Sequence, residues 1–274
     1  NGIFFLPPHP PHDDDDDDEE VEKRRIPLYF LAHTDNGSVA MRDEFLRSLG
    51  DDDRRRIEPR EVTVDALQTT QRMRYGPKGE LIQRALAENP EDSLILVSDL
   101  DIRFFRPIFD VVDLYASKRP ADVVFQRDED WSLQANLGFM ALRCNDNVRT
   151  FFKIVADMAR RYATNAVGDN ANGGVVKGGD QKLVNVALRS PHRLPMLPRI
   201  DWGLFPTEFM TRSVDQQRGM LYKHEANNFM YHVNDFGSDK NSPEKARKTK
   251  VDLLTRAEKR HRDARNFYHH SDRV

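Results

Sequence analysis

The sequence predicts an α/β domain, and three features of the chain carry that prediction. Short apolar runs, such as the one at residues 94–97, have the length and composition of strands buried in a parallel sheet. Amphipathic helical segments alternate with these runs. Polar residues directly follow the first and the central run. Because ligands of open α/β sheets bind at the carboxyl ends of the strands, we expect a functional site at that edge.

The composition limits the classes to which the protein can belong. With 274 residues the chain can form one large α/β domain or two small ones. The net charge of −3 gives no sign of a nucleic-acid partner. No apolar run approaches the roughly 18 residues of a membrane span. The single cysteine, Cys144, excludes an internal disulfide.

Residues 1–25 have the composition of a disordered linker or stem. A proline-rich stretch precedes six consecutive aspartates at residues 13–18 and two glutamates. Like charges repel one another and proline prevents strand pairing, so a solvated tail is favoured over a divalent-ion binding run. The chain starts at Asn1 and not at methionine, so we expect a signal or an anchor upstream.

The first part of the predicted domain, which extends over residues 26–241, alternates strands and helices. A polar group, His33-Thr34-Asp35-Asn36-Gly37, ends the first strand, as in a nucleotide-binding α/β fold. Lys78 directly precedes the second helix, from where its cation could reach a ligand at the sheet edge. The predicted elements are a strand at residues 26–34, a helix at 40–49, a strand at 57–64, a helix at 79–87 and the central strand at 94–97.

The second part continues this pattern, and residues 242–274 form a basic C-terminal helix or tail that we expect to pack on the domain. Gly138 would let a ligand or another backbone approach its strand closely. Asp180 is a candidate N-cap of its helix. The predicted elements are a helix at 108–114, strands at 121–126 and 134–143, a helix at 148–162, a long loop at 165–179, a helix at 180–188, an ordered segment at 230–240 and a helix at 244–265.

Asp99 and Asp101 directly follow the central strand and are the strongest candidates for chemistry. Two buried carboxylates so close together are costly unless a cation or a shared proton offsets their repulsion. The residues alone leave three interpretations open: a metal site, an acid/base pair that shares a proton, and a solvated turn. Carboxylates at this spacing can chelate one hard divalent cation, which could in turn hold a diphosphate.

Five short motifs occur in the order found in one group of enzymes. They are Tyr75-Gly76-Pro77-Lys78, Ser98-Asp99-Leu100-Asp101 with Arg106-Pro107, Asn136-Leu137-Gly138-Phe139-Met140, Asp180-Gln181 with Asn185, and His232-Val233-Asn234 with Gly237 and Lys240. On these motifs, residues 26–240 resemble the nucleotide-diphospho-sugar transferases of the GT-A fold, most closely glycosyltransferase family 77 and next family 8. The resemblance implies a single Rossmann-like α/β domain with a mixed, mostly parallel central sheet flanked by helices.

The resemblance also implies a metal cofactor and its ligands. Asp99 and Asp101 would bind Mn²⁺ or Mg²⁺ against the donor diphosphate, and His232 would be the third protein ligand. An imidazole beside two carboxylates suits Mn²⁺ better than Ca²⁺. Lys240 and the turn at Gly237 would contact the phosphates.

The same resemblance implies where the nucleotide and the sugar bind. The end of the first strand, His33-Thr34-Asp35, would meet the base and the ribose, and Lys78 would contact the nucleotide or the sugar. Asn136, Asp180 and Gln181 would surround the transferred sugar as the catalytic residues.

The implied activity is the transfer of a sugar, a hexose or a pentose, from a nucleotide-diphosphate donor to a hydroxyl of a glycan or glycoprotein. A UDP-sugar is the favoured donor. Both families retain the anomeric configuration. We favour a front-face reaction, in which the leaving diphosphate takes the acceptor proton, over a double displacement with Asp180 as the nucleophile. The implied location is the Golgi lumen, with the cytoplasm as the alternative.

Two positions depart from the family pattern. Arg103 stands two residues after the second aspartate, where the family often has a tryptophan. Lys177-Gly178-Gly179 replaces the tryptophan or serine usual near Asp180. The acceptor side of the family is therefore a poor guide to this chain, and the identity of the sugar stays open.

Two other functions also fit a strand that ends in Asp-x-Asp. An aspartate-nucleophile phosphatase needs a later pair of acidic residues for Mg²⁺, and no second acid follows Asp180 directly. A non-catalytic sugar-binding protein would be expected to have lost a metal ligand, whereas Asp99, Asp101 and His232 are all present. The glycosyltransferase is therefore the favoured prediction.

Overall fold

The structure of the 274-residue chain is a computed structural model. It describes residues 25–33, 35–64, 76–118, 121–128, 133–165, 179–189, 196–209, 228–233 and 243–271. The predicted linker or stem lies outside the described residues, except for Arg25, and so does most of the predicted loop at 165–179. The site candidates Thr34, Gly237 and Lys240 also lie outside them.

Among the described residues, six strands form the central sheet, and two more form a small second sheet. In spatial order the central sheet consists of β2 (Ile57–Val64), β1 (Ile26–His33), β3 (Leu94–Ser98), β6 (Ala135–Arg143), β5 (Val123–Arg127) and β7 (Trp202–Leu204). Only β6 is antiparallel to its two neighbours. The sheet is therefore mixed and mostly parallel, which confirms the predicted fold class. The second sheet pairs β4 (Ile102–Phe104) with β8 (Met230–His232) in antiparallel fashion.

The described helices flank the central sheet. They are α1 (Asn36–Ser48), α2 (Asp51–Arg56), α3 (Gly76–Glu88), α4 (Phe109–Val112), α5 (Asp146–Asn165), α6 (Gly179–Arg189) and α7 (Pro243–Ser271). The carboxylate of Asp35 caps α1 by accepting the backbone N–H of Ser38 at 3.1 Å. None of the described helices combines the length and the apolar composition needed to cross a membrane.

Two apolar layers cover the two faces of the central sheet. On one face, α3, α5 and α6 pack against the sheet through side chains such as Leu81, Phe151 and Val184. On the other face, α1 and α4 pack through side chains such as Phe45 and Val112. Because both faces are covered, the central strands read as continuous apolar runs.

The basic C-terminal helix α7 packs against the small second sheet and against α1. Leu254 and Ala257 of α7 form an apolar cluster with Tyr231 and Val233. Arg103, in β4, adds an ion pair with Glu258 of α7 at 2.6 Å and a second ion pair with Glu44 of α1. The helix therefore shares apolar and charged contacts with the elements that carry the Asp-x-Asp segment.

Several details differ from the sequence-based prediction. The short elements α2, β4 and a 3₁₀ turn at Thr207–Phe209 were not predicted, because three to six residues carry too little periodicity. The helix predicted at 108–114 is split into α4 and a π-helical segment at Asp113–Ser117. The prediction of Asp180 as an N-cap was wrong, because α6 begins at Gly179 and Asp180 lies within its first turn.

Candidate metal centre

The candidate site lies at the carboxyl end of β3. Because β6 runs antiparallel to β3, the first residues of β6 lie at this same end. Asp99 directly follows β3, and its backbone N–H donates to the carbonyl of Gly138 at 2.7 Å. Gly138 lies near the start of β6, which runs opposite to β3. The antiparallel strand therefore carries Asn136 and Gly138 to the edge at which ligands of α/β sheets bind.

The small second sheet places His232 beside Asp101. Ile102 of β4 pairs with His232 of β8, and the backbone N–H of Val233 donates to the carbonyl of Asp101 at 3.0 Å. Two short strands thus bring together side chains that lie far apart in the sequence. The backbone ladder, and not a flexible loop, fixes the position of the imidazole.

Asp99, Asp101 and His232 form a cluster that could hold a divalent metal ion. The Nε2 atom of His232 lies 3.2 Å from Oδ1 of Asp101 and 3.6 Å from Oδ2 of Asp99. One ligand atom from each residue lies within 4.8 Å of the other two. Two carboxylate oxygens and one imidazole nitrogen are a donor set that suits Mn²⁺ or Mg²⁺, with Mn²⁺ favoured by the nitrogen. The three residues therefore fit the metal that the resemblance implies.

Each carboxylate also accepts a hydrogen bond from a lysine, through the oxygen that does not face His232. Lys78, in the first turn of α3, donates to Oδ1 of Asp99 at 2.6 Å. Lys250, in α7, donates to Oδ2 of Asp101 at 2.5 Å. Each aspartate therefore presents one oxygen to a lysine and the other to the side where His232 lies.

Asp101 is the more buried of the two carboxylates, with 12% of its side chain exposed against 37% for Asp99. Burial alone would raise the pKa of Asp101. The charge of Lys250 and the contact with His232 outweigh burial and hold the pKa of Asp101 well below its ordinary value. Asp101 is therefore ionised at neutral pH, as a metal ligand must be.

Gln126 and Gly138 determine the position and orientation of the His232 ring. Oε1 of Gln126 lies 3.2 Å from Nδ1 of His232, on the ring edge that faces away from the aspartates. A Cβ atom on Gly138 would lie 2.2 Å from Cε1 of His232, so only glycine leaves room for the ring. A histidine that ligates metal through Nε2 commonly donates its Nδ1–H to an oxygen, and Gln126 supplies that oxygen.

The residues expected around the transferred sugar are connected through Asp128. Nδ2 of Asn136 donates to Oδ1 of Asp128 at 2.8 Å, and Nε2 of Gln181 lies 3.3 Å from the same oxygen. Oδ1 of Asn136 accepts the backbone N–H of Gly138 at 2.7 Å. Asn185 fixes the start of β6 by bonding to the N–H and the carbonyl of Ala135. Asn136 and Gln181 therefore lie in one polar network beside the cluster of Asp99, Asp101 and His232.

Asp180 lies beside this network in the first turn of α6. Its Oδ1 accepts the backbone N–H of Gln181 at 2.9 Å. Burial raises the pKa of Asp180, and it outweighs the opposing charge of Lys78 and this hydrogen bond. The charge of Asp99 also acts on the pKa of Asp180 and adds to the effect of burial.

At the end of β1, the two described candidates, His33 and Asp35, have different surroundings. Asp35 caps α1 and pairs with Arg247 of α7, and both contacts contribute to a lowered pKa against the opposing effect of burial. Burial and the charge of Arg247 lower the pKa of His33. The Nδ1 atom of His33 is buried and has no hydrogen-bond partner among the described residues.

The sequence did not single out four of the residues that contact the site candidates: Asp128, Gln126, Arg247 and Lys250. Asp128 follows a strand at the same sheet edge as Asp99, and that rule alone could have identified it. Gln126 is a fully buried polar residue at the end of a short apolar run, which is a weaker signal. Arg247 and Lys250 lie in a run of basic residues, where nothing in the sequence distinguishes one cation from its neighbours.

Comparisons with known proteins bear on the fold. No family model matches the chain, and no curated protein is significantly similar in sequence. The glycosyltransferase GlyE of Streptococcus pneumoniae TIGR4 aligns over 84% of this chain and 60% of its own, with 11% identity and a TM-score of 0.53. The chain therefore spans less than two thirds of GlyE.

A second solved structure is similar over nearly its whole length. A glycosyltransferase involved in the glycosylation of the major capsid of PBCV-1 aligns over 84% of this chain and 98% of its own, with 13% identity and a TM-score of 0.53. At such identities the likeness concerns the fold. Together with the mixed, mostly parallel sheet, these neighbours show that the chain has the GT-A fold.

Proposed function

We propose that this protein is a metal-dependent glycosyltransferase that transfers a sugar from a nucleotide-diphosphate donor to a hydroxyl of a glycan or glycoprotein. We further propose a relationship to glycosyltransferase family 77, with family 8 next. The observation that carries the proposal is the cluster of Asp99, Asp101 and His232 at the ligand-binding edge of a GT-A sheet. Two solved structures that share the fold are named glycosyltransferases.

The arrangement suits a reaction in which a diphosphate leaves. A divalent ion held by Asp99, Asp101 and His232 would neutralise charge that develops on the leaving diphosphate. Lys78 adds a cation beside Asp99. Asn136 and Gln181, joined through Asp128, provide fixed polar groups that can orient a sugar next to the cluster.

We propose that the reaction proceeds with retention by a front-face path. The acceptor hydroxyl approaches from the side on which the diphosphate leaves, and its proton passes to a diphosphate oxygen. No protein base is then needed. Asp180, in the first turn of α6, is the alternative nucleophile for a double displacement.

The nucleotide is proposed to bind at the end of β1. His33 offers a buried Nδ1 atom without a hydrogen-bond partner among the described residues, and its lowered pKa keeps the ring neutral at neutral pH. A neutral imidazole can donate to or accept from a base. A UDP-sugar is the proposed donor, on the resemblance of the sequence motifs.

The acceptor and the location are proposed from resemblance. The PBCV-1 neighbour is involved in the glycosylation of a capsid, which supports a glycoprotein as the acceptor. The Golgi lumen is the proposed location, with the cytoplasm as the alternative, because the composition of residues 1–25 resembles the stem of a lumenal enzyme.

The test is hydrolysis of a panel of UDP-, GDP- and dTDP-sugars with and without Mn²⁺. We expect release of free sugar and UDP from one UDP-sugar, dependent on the metal. NMR of the first sugar released should show that its anomeric configuration is retained. Release of phosphate from phosphomonoesters, with no hydrolysis of any nucleotide sugar, would favour the phosphatase and reject the proposal.

A pair of variants connects the activity to the site. Asp101→Ala should abolish metal-dependent hydrolysis and metal-dependent UDP binding. Asp252→Ala removes the same charge from an exposed position of α7 and should leave both unchanged. Equal activity of the two variants would reject the assignment of the metal ligands.

A further inference from the structure

The C-terminal helix α7 contributes a lysine to the metal cluster. Nζ of Lys250 lies 2.5 Å from Oδ2 of Asp101, although the two residues are 149 positions apart in the sequence. Only 23% of the Lys250 side chain is exposed. A long aliphatic side chain is costly to order, so a lysine held this firmly against a candidate metal ligand calls for an explanation beyond surface pairing.

Docking of α7 does not depend on Lys250 alone. Leu254 and Ala257 pack against the small second sheet, Glu258 pairs with Arg103, and Arg247 pairs with Asp35. These contacts lie on both sides of Lys250 and together span residues 247–258 of α7. The ammonium group of Lys250 is therefore available for a role other than attaching the helix.

The charges around Asp99 and Asp101 indicate a role for Lys250 in ligand binding. Lys78 and Lys250 each contact one carboxylate, so two ammonium groups accompany the two anionic ligands. A divalent ion that enters alone meets two cations at short range, in a partly buried place where screening by water is weak. A divalent ion that enters with a diphosphate meets the same cations as partners, because lysine ammonium groups bind phosphate oxygens well.

We propose that Lys250 couples metal binding to diphosphate binding. In the absence of ligand it pairs with Asp101, which opposes binding of the bare metal ion. When a metal diphosphate binds, Lys250 contacts a diphosphate oxygen and stabilises the complex. Lys250 is thus a diphosphate-binding residue supplied by the C-terminal helix. The inference rests on the proposed function, since it takes the diphosphate of the donor as the ligand.

The test measures two binding constants on the full chain by calorimetry, one for Mn²⁺ and one for preformed manganese pyrophosphate. For Lys250→Met we expect Mn²⁺ alone to bind roughly tenfold more tightly, and manganese pyrophosphate roughly tenfold more weakly, the scale on which groups around a metal tune its affinity. Lys250→Arg keeps the charge and should bind both ligands like the wild type.

Lys248→Met is the matched control, because it removes the same charge from an exposed position on the same turn of α7. It should leave both constants unchanged, and a melting curve of each variant checks that α7 stays folded. Lys250→Met would overturn the proposal if both of its constants move in the same direction, or if neither moves.

The outcomes also separate this proposal from the proposed function. If the two constants of Lys250→Met move in opposite directions while no nucleotide sugar is hydrolysed, the proposal for Lys250 is supported and the glycosyltransferase activity is rejected. If hydrolysis occurs but the constants do not change, the activity is supported and the role of Lys250 is rejected. A wild-type protein that binds neither Mn²⁺ nor manganese pyrophosphate rejects both.

Discussion

Gly138 leaves the space that the His232 ring occupies. A Cβ atom at position 138 would lie 2.2 Å from Cε1 and 2.4 Å from Nδ1 of the ring, distances that no side chain can tolerate. Only 2% of the His232 side chain is exposed, so the ring cannot swing out into solvent without loss of its packing. The glycine of the Asn-x-Gly-Phe motif is therefore required by the imidazole and not by a turn.

Gly138→Ala should consequently displace His232 from the two aspartates. We expect Mn²⁺ affinity to fall by at least about tenfold, and the free energy of unfolding to fall by about 1–3 kcal/mol through overpacking. Calorimetry with Mn²⁺ and denaturant unfolding measure the two effects. Gly203→Ala is the control, because nothing lies within 4 Å of the added methyl group at that position. Unchanged Mn²⁺ binding by Gly138→Ala would show that His232 is not a metal ligand.

Gln126 should control the tautomer of His232. When a metal ion lies between the ring and the two aspartates, Nε2 must offer it a lone pair, and the ring proton is then on Nδ1, where the amide oxygen of Gln126 can accept it. Gln126→Leu removes the acceptor and should weaken Mn²⁺ binding by about 10–100-fold. Gln126→Glu keeps an oxygen at that position and should preserve binding. Equal affinities for the Leu and Glu variants would contradict this role, and NMR of the ring nitrogens reports the tautomer directly.

The sequence was most informative where the structure is local. The strand predicted at residues 57–64 has the same bounds as β2, and the central strand extends only one residue beyond its prediction. The apolar run at residues 94–97 is too short for a typical helix, which leaves few alternatives to a buried strand, so packing had little to change there. The first turn of α6 shows the limit, since the prediction of its start was wrong by one residue.

The cluster of Asp99, Asp101 and His232 depends on contacts that no local sequence pattern encodes. Asp99 and Asp101 could be found from their place after a strand, but His232 came from the family order of motifs, since a lone histidine carries no such signal. Lys250 is one of several basic residues in its helix. Its contact with Asp101 depends on how α7 packs, and amphipathic periodicity does not determine the partner of a long helix.

The structure gives a reason for Arg103, which stands where the family that the sequence resembles often has a tryptophan. In place of the tryptophan, the chain has a guanidinium group with 4% of its side chain exposed, which pairs with Glu44 of α1 and Glu258 of α7. Arg103→Met should lower the free energy of unfolding by about 2–4 kcal/mol, because it leaves carboxylates without their partner. Glu258 is half exposed and can regain water, so the lower end of that range is expected.

Denaturant unfolding measures this loss. The control is Arg55→Met, which breaks an exposed ion pair with Asp52 and should cost less than about 1 kcal/mol. A loss for Arg103→Met no larger than that of the control would mean that the buried position of Arg103 contributes nothing to stability. A second measurement, protection of α7 amides from hydrogen exchange, should show the loss concentrated in that helix.

Asp180 should make stability depend on pH in the direction opposite to most carboxylates. Its pKa is raised in the folded protein, chiefly by burial, so the folded chain holds this proton to higher pH than the unfolded chain does. The contribution of Asp180 to stability is therefore present below the unfolded pKa of about 4 and is lost as the pH rises through the folded pKa. Relative to the wild type, Asp180→Asn should become more stable as the pH rises over this window. A constant difference in the free energy of unfolding would contradict the raised pKa.

The same substitution separates the two chemical paths. In a double displacement Asp180 attacks the anomeric carbon, so Asp180→Asn should abolish transfer by several orders of magnitude, as loss of a nucleophile does. In the front-face path that we propose, Asp180 acts only through its charge beside Lys78, and the loss in kcat should not exceed ~10²-fold. The measurement is single-turnover transfer from the donor identified in the hydrolysis panel. Trapping of a glycosylated Asp180 by mass spectrometry would reject the front-face path, since that path forms no bond between the sugar and the protein.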